Sequence, residues 1–123
     1  MKIRIFYEDT DAGGIVYHTN YIKYCERARS EIFFSKNIKP LDGENSGFVV
    51  RKLEANFLGF AKLGDMVEVT TRVIKIKSAS IILEQEIYKE DKNIFKMIIL
   101  LAYVKDEKAK AIPEILKDVL KKM

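Results

Sequence analysis

The densest group of reactive side chains in this chain lies close to its start. Asp9 and Asp11 stand two positions apart, Gly13 and Gly14 follow them, and His18 is the only histidine. Carboxylates in such a pattern can ligate a cation, attack an electrophilic carbon or accept a proton. They can also do no more than bond the backbone amides of a turn. The rest of the sequence has to decide among these chemistries.

A calcium loop of the EF-hand type is the first candidate. It would use Asp9 and Asp11 as its first and third ligands and Gly14 as the glycine at its sixth position. Such a loop also requires an oxygen ligand where Gly13 stands and a bidentate glutamate where Asn20 stands. Both ligands are missing, so we do not expect calcium binding.

A phosphatase that forms an aspartyl phosphate also begins with a strand and an Asp-x-Asp pair, and it holds magnesium beside them. That chemistry needs a parallel sheet with helices between its strands, whereas the later strands predicted here are joined by short turns. The single cysteine, Cys25, and the single histidine exclude an internal disulfide and a Cys/His zinc cage. We therefore expect no metal and no cofactor. For Asp9 a purely structural turn, with its carboxylate on a backbone amide, is the favoured interpretation.

Acyl transfer remains as the chemistry that these residues can support. Such a site needs a nucleophile or base, together with hydrogen-bond donors aimed at the oxygen on which charge develops. Asp11 supplies the carboxylate, and the free backbone N–H groups at the start of the following helix supply the donors. Gly13 and Gly14 let a bulky carbonyl group approach the main chain. The sequence contains no convincing serine–histidine or cysteine–histidine arrangement.

The elements that position these residues follow from hydrophobic periodicity and turn signals. One face of a predicted helix over residues 18–37 carries Tyr21, Cys25, Ala28 and Ile32. Strands are predicted over residues 2–7, 48–60, 66–77, 80–89 and 93–105, and a short helix over residues 114–122 follows Pro113. The alternation of side chains slips after Val73, which indicates a bulge. Short connections between the late strands predict an antiparallel sheet, and the fold class is therefore α+β.

Composition limits the class of protein. At 123 residues, with 48% hydrophobic and 33% charged residues, the chain is predicted to form a single domain over residues 1–123. The net charge of +4 comes from scattered lysines beside acidic residues, so we expect a solvated surface and no nucleic-acid partner. The longest apolar run, residues 97–104, is too short for membrane insertion, and we expect it to form a strand covered on both faces. A buried Cys25 and no disulfide fit a reducing, cytoplasmic location.

The segment from Asp9 to Tyr21 has the form D-T-D-A-x-G-x-V-Y-H-x-N-Y. It resembles the signature of the hotdog-fold thioesterases, in particular the 4-hydroxybenzoyl-CoA thioesterase family and its branch encoded beside the bacterial Tol–Pal genes, and it matches that branch at every specified position. The resemblance implies the hotdog fold, a curved antiparallel sheet wrapped around one long helix. It also implies a hydrolase that acts on acyl-CoA or acyl-carrier-protein thioesters.

The resemblance assigns roles to residues of the motif. Asp11 matches the catalytic carboxylate, which either attacks the thioester carbon or activates a water molecule. The carbonyl-polarising amide falls on His18, with Tyr17 or Gly14 as possible neighbours, and the His18 side chain is expected to line the acyl site. Asn20 is expected either to contact substrate or to cap the helix.

The resemblance also implies a phosphate site and an oligomer. Lys75, Lys77 and Ser78 match the segment that binds the CoA phosphates, although ordinary solvent-facing lysines would have the same pattern. Glu26 is expected to have a supporting or interface role. Hotdog subunits pair edge to edge, so a homodimer or homotetramer is implied. Two alternatives stay open: a non-catalytic module that binds acyl-CoA, and a hotdog dehydratase acting on hydroxyacyl thioesters.

Overall fold

The computed structural model describes all 123 residues as two helices and six strands. In chain order these are β1 (Lys2–Arg4), a short 3-10 turn (Tyr7–Asp9), α1 (Thr19–Phe34), β2 (Ser46–Phe57), β3 (Met66–Ile76), β4 (Ser80–Lys89), β5 (Lys92–Lys105), β6 (Lys108–Ala109) and α2 (Glu114–Lys121). The predicted α+β composition, with one long helix followed by long strands, is confirmed.

The strands form one antiparallel sheet in the order β1-β3-β4-β5-β2, with β6 paired to the end of β5. β3, β4 and β5 are joined by tight hairpins, as their short turn signals predicted. β2 pairs only with β5 and is therefore an edge strand along its whole length. α1 packs against β3 and β4, and the main hydrophobic core lies between helix and sheet.

Gln85 fastens α1 to the centre of the sheet. It is the only polar residue of the core, and its Nε2 donates to the Cys25 carbonyl at 2.8 Å and to Thr71 Oγ1 at 3.0 Å. Its Oε1 accepts a hydrogen bond from Arg29 at 3.2 Å. Because every polar atom of this amide is bonded, its burial adds rigidity without an unsatisfied group.

The C-terminal end of α1 differs from the prediction. The helix ends at Phe34 and not at residue 37, because Asn37 takes a left-handed conformation with φ 57°. The Ile38 N–H then donates to the Phe33 carbonyl at 3.1 Å, and the Asn37 N–H donates to the Phe34 carbonyl at 2.9 Å. These two bonds form the Schellman motif that commonly closes helices, and asparagine is one of the residues that tolerate its left-handed position.

The strands agree with the predictions in number and differ at several ends. β1 stops at Arg4 and does not reach residue 7, because the chain turns where the Asp9 carboxylate binds the Phe6 N–H. β2 covers residues 46–57 instead of 48–60, and the two-residue β6 was not predicted. The bulge predicted after Val73 is confirmed by a register shift between Val73 and Lys75.

The prediction that the apolar part of β5 is covered on both faces is wrong at one position. Met97, Ile99, Leu101 and Tyr103 are buried in the core, and Ala102 is buried as well. Ile98 points to the opposite face and is 37% exposed. The isolated chain thus leaves part of the outer sheet face without cover. Cys25, by contrast, is fully buried as expected.

Candidate active site

The acidic motif folds into a narrow hairpin that leads directly into α1. The Asp11 N–H donates to the Ile15 carbonyl at 2.9 Å, and the Tyr17 N–H donates to the Asp9 carbonyl at 2.9 Å. At the closed end, the Gly14 N–H donates to the Asp11 carbonyl at 3.0 Å. Asp11 therefore lies in the turn of the hairpin, while the helix start lies at its base.

The Asp11 carboxylate is held by its own loop. Its Oδ1 accepts a hydrogen bond from the Gly13 N–H at 2.8 Å, which is an Asx-type turn. This is the one hydrogen bond that the carboxylate makes within the chain, so Oδ2 stays open, and the residue is exposed. A Cβ placed on Gly13 would lie 3.2 Å from Oδ1. Because Gly13 has no side chain, the Asp11 carboxylate can occupy this position without a steric clash.

Asp9 has a structural role, as its pattern predicted. Its Oδ2 accepts from the Phe6 N–H at 2.8 Å, and its carbonyl accepts from both the Tyr17 N–H and the Asn20 side-chain amide. Asn20 therefore ties the first turn of α1 to the hairpin. The alternative that Asn20 caps the helix is wrong, because the residue at the N-cap position is His18, which makes no side-chain cap.

Few of the amides around the helix start are available to a ligand. The Tyr17 and Gly14 N–H groups both donate to carbonyls of the hairpin, so neither can polarise a substrate without breaking a bond. The N–H groups of His18 and Thr19 have no acceptor in the chain. They are the first donors of α1, where helix geometry leaves amides unpaired and the helix dipole is positive. Of the amides considered from the sequence, only that of His18 is open.

A shallow pocket of about 380 Å³ lies against this helix start. Its lining comprises Ile15, Val16, His18, Tyr21, Phe57, Leu58, Gly59 and Phe60. The His18 ring lies 4.7 Å from the Tyr17 ring and 5.9 Å from the Phe57 ring, measured between centroids. Asp11 does not line this pocket, although Ile15 and Val16 of the same hairpin do. Gly14, with φ +80° and open space where a Cβ would stand, leaves the hairpin surface accessible.

Residues 57–60 are the part of the site that sequence reasoning missed. Phe57 and Phe60 are 49% and 54% exposed, which is unusual for phenylalanine. The available signal is the Phe-Leu-Gly-Phe run, whose apolar residues predict the end of a strand. Tyr21 in turn is a core residue: its hydroxyl accepts the Ala61 N–H at 3.0 Å, and burial raises its pKa.

The predicted phosphate-binding residues lie elsewhere. Lys75, Lys77 and Ser78 stand at the end of β3 and in the following turn, all exposed. The hairpin of Asp11 contacts the chain just before β3, where Ile15 is bridged to Lys62. Lys75 is nine residue steps along β3 from its first residue, Met66, which corresponds to about 30 Å of strand. Within one chain the structure does not bring these lysines to Asp11.

The surroundings of the hairpin are rich in exposed apolar side chains. They are Phe6, Tyr7, Tyr17, Phe57, Leu58, Phe60 and Leu63. Val49 and Val50 on the edge strand β2 are exposed as well, the latter at 52%. An exposed apolar patch beside an unpaired strand edge is typical of a surface that another protein covers.

Two further properties bear on the chemistry. Neither helix combines the length and the hydropathy that crossing a membrane requires. No three His, Cys, Asp or Glu side chains are grouped closely enough to hold a metal ion.

Comparison with known proteins places this geometry in a family context. The sequence profile described as "Thioesterase superfamily" matches residues 13–96. A relative named acyl-CoA thioesterase YbgC, from Helicobacter pylori, is 48% identical over 88 residues, which cover 72% of this chain and 65% of the relative. The match thus spans just under two thirds of that protein. A relative named acyl-CoA thioester hydrolase YbgC, from Escherichia coli, is 34% identical over 119 residues, covering 91% of this chain and 87% of the relative.

Solved structures agree with the sequence matches. The crystal structure of a probable thioesterase from Bartonella henselae superposes with a TM-score of 0.84 at 28% identity. The superposition covers 92% of this chain and 97% of the other.

Proposed function

This chain belongs to the thioesterase superfamily and has its hotdog fold, and we propose that it hydrolyses acyl-CoA thioesters to a carboxylic acid and free CoA. One observation carries the proposal. The hairpin holds the Asp11 carboxylate by one oxygen only and leads into a helix start whose first two amides are unpaired. Acyl transfer needs these two groups together.

In the proposed reaction the thioester carbonyl oxygen accepts hydrogen bonds from the N–H groups of His18 and Thr19. These donors and the helix dipole stabilise the negative charge that develops on this oxygen. The open Oδ2 of Asp11 either attacks the carbonyl carbon, with a water molecule releasing the acid later, or takes a proton from a water molecule that attacks directly. In both routes the C–S bond breaks, water adds, and the CoA thiol leaves with a proton.

The pocket beside the helix start suits the acyl group. Its walls are mostly apolar and include Phe60 and Phe57, the ring of Phe57 lying edge-on to the ring of His18. Burying such aromatic surface against an acyl chain is favourable by roughly 25 cal/mol per Å². We therefore assign the His18 side chain to the wall of the acyl site and Gly14 to the approach of the thioester. Tyr17 does not line the pocket, and we assign it to the support of the His18 ring that it contacts. Asn20 acts indirectly, by holding the helix start on the hairpin.

We further propose a homodimer joined through β2, with pairing of dimers into a tetramer as a second step. β2 offers twelve residues of unpaired strand edge, and the exposed apolar groups lie beside it. In this assembly Lys75, Lys77 and Ser78 would bind CoA phosphates from a different copy, since about 30 Å of strand separates Lys75 from the end of β3 that lies near the hairpin. A Val50→Lys variant should sediment as a monomer; an unchanged sedimentation coefficient would exclude the β2 interface.

The proposed location is the cytoplasm, since the fully buried Cys25 and the absence of a disulfide fit a reducing compartment. Use of acyl carrier protein in place of CoA, and a link to Tol–Pal genes, remain predictions.

The test of the function is thiol release from a panel of acyl-CoA and acyl-carrier-protein thioesters. We expect wild-type protein to release thiol and the Asp11→Asn variant to release it more slowly by about 100-fold or more, the scale of losing an acid–base group. Asparagine still accepts the Gly13 hydrogen bond, so the fold should persist. Asp9→Asn is the matched control and should retain most of the turnover.

Two outcomes would contradict the proposal. Undiminished turnover of Asp11→Asn would remove Asp11 from the chemistry. Tight binding of acyl-CoA without thiol release from any substrate would make the protein a binding module.

A further inference from the structure

A second, more enclosed pocket lies at the opposite half of α1. It has a volume of about 300 Å³ and is bounded by α1, the loop of residues 36–47, the sheet and the C-terminal end of the chain. Its apolar walls are Phe33, Leu41, Phe48, Ile81, Leu83, Leu101, Leu120 and Met123. It shares no residue with the pocket at the helix start, and Arg29 in its wall stands eleven residues beyond His18, about 16 Å along the helix.

The guanidinium of Arg29 places a positive charge in the lining of this otherwise mostly apolar pocket. The residue is partly buried, and no carboxylate lies within 4 Å of it. Its one hydrogen bond goes to Gln85 Oε1 at 3.2 Å, although the group presents five N–H donors. Burial lowers the pKa of Arg29, which remains far above neutral in any arginine. A partly desolvated cation without a counter-ion favours the binding of an anion.

The only acidic residue of the pocket does not neutralise this charge. Glu26 is exposed, so solvent screens it, and its carboxylate accepts a long hydrogen bond from Ser30 at 3.4 Å. Glu26 attracts Arg29 but accepts no hydrogen bond from it, so the remaining N–H donors of the guanidinium stay free. The hydrogen bond from Arg29 to Gln85 holds the guanidinium in position, because Gln85 is fully buried and its own amide is bonded to the Cys25 carbonyl.

The mouth of the pocket is also held in place. Asp42, in the loop of residues 36–47, accepts hydrogen bonds from the Tyr103 hydroxyl and from Lys110 Nζ, the latter at 2.9 Å. The Asp42 N–H donates to Ser46 Oγ at 3.0 Å, and Ser46 lines the pocket. The loop is thereby fixed to β5 and to the residues after it. A pocket that exists before its ligand arrives costs little ordering on binding.

We propose that this pocket binds a small amphipathic carboxylic acid, with the carboxylate on Arg29 and the apolar tail between Phe33, Phe48 and the leucines of the sheet. The volume lies at the lower end of small-molecule sites, which span about 300–1,000 Å³, and therefore favours a short or medium tail. The proposal rests on this pocket alone and does not require that the chain hydrolyse thioesters. If the chain does hydrolyse thioesters, the carboxylic acids that it releases belong to the same chemical class, and their binding to this pocket would increase as they accumulate.

The test is a titration with octanoate, followed by amide and methyl chemical shifts and by calorimetry. We expect shifts centred on Arg29, Phe33 and Leu101, and weaker binding of the uncharged octanamide. Arg29→Gln should weaken octanoate binding about tenfold or more, the scale of losing a charge-assisted hydrogen bond. Arg27→Gln is the matched control, since Arg27 is exposed on the same helix and does not line the pocket; its affinity should equal that of the wild type.

A second variant keeps the proposal testable if Arg29→Gln fails to fold. Ser30→Leu retains the cation and narrows the pocket, and it should also weaken octanoate binding. Equal affinity for octanoate and octanamide would overturn the ion pair with Arg29. Shifts confined to His18 and Phe57 would assign octanoate to the catalytic end instead. Octanoate binding that disappears as the protein self-associates would show that a second copy occupies the pocket, and would overturn the proposal as well.

Discussion

Replacing Gly13 with alanine should shift the Asp11 carboxylate without destabilising the loop that carries it, so the effect of carboxylate position on activity can be measured separately from loop stability. The alanine Cβ would lie 3.2 Å from Asp11 Oδ1, closer than an ordinary van der Waals contact, so the carboxylate has to move by a few tenths of an ångström. Unlike Gly14, Gly13 does not have a positive φ, so alanine fits its backbone conformation.

The two expected effects of Gly13→Ala have opposite directions. A misplacement of about 1 Å at a reacting group can cost about 100-fold in rate, so a shift of a few tenths should lower kcat about three- to tenfold. The free energy of unfolding should stay the same or rise by up to about 1 kcal/mol, because alanine restricts the unfolded chain more than glycine does. If Gly13→Ala is less active than the wild type but at least as stable, the loss of activity is due to the changed position of the Asp11 carboxylate.

Steady-state thiol release and urea unfolding measure the two quantities, and Gly14→Ala is the control. At Gly14 an added Cβ meets nothing within 4 Å, but φ is +80°, so the substitution should cost about 1–2 kcal/mol of stability through backbone strain. Wild-type kcat in Gly13→Ala would refute the reasoning. So would a loss of stability as large as that of Gly14→Ala, because the lower activity would then follow from a damaged loop.

Three further predictions concern groups outside the hairpin. Burial raises the pKa of the Cys25 thiol to about 12, so iodoacetamide at pH 8 should leave the native protein unmodified by mass and should alkylate it in urea. Gln85→Met should lower the free energy of unfolding in urea by about 1–3 kcal/mol because it leaves buried polar groups unpaired, whereas Thr71→Val should cost less. The hydrogen bond from Tyr103 is the largest of the contacts that hold the pKa of Asp42 well below its usual range. The ionised carboxylate therefore stabilises the fold above about pH 4, and this stabilisation is lost as the pH falls further. Asp42→Asn should flatten that part of the curve of unfolding free energy against pH.

The features predicted from sequence were those fixed by residues close together in the chain. The glycine loop predicted between the first strand and the long helix is a hairpin closed by bonds between residues at most eight positions apart, so local residues are enough to specify it. β4 was predicted to the residue because its ends coincide with turns on both sides. Local signals also explain the exceptions. The helix continued in prediction to residue 37 because its side-chain pattern continues, whereas the left-handed Asn37 ends it.

What sequence could not supply was the meeting of distant segments. Residues 57–60 reach the helix start only because β2 runs the full length of the sheet beside β5. Lys75 matches a phosphate-binding segment by its order in the chain, but the length of β3 places it far from the hairpin of its own subunit. Spacing along a chain tells which side chains share a face of a strand, and it does not tell what faces them.

The edge strand β2 connects these distant segments to the proposed catalytic site. β2 ends at Phe57, where the aromatic wall of the proposed acyl pocket begins, so the strand edge available for pairing is continuous with the candidate site. In the single chain Asp11, Phe57 and Phe60 are all exposed. Hydrogen bonds to a developing oxyanion are much weaker in water than in a dry site. A second copy paired along β2 would cover this region, and assembly would then supply the low-dielectric environment that the hairpin and the helix start lack on their own.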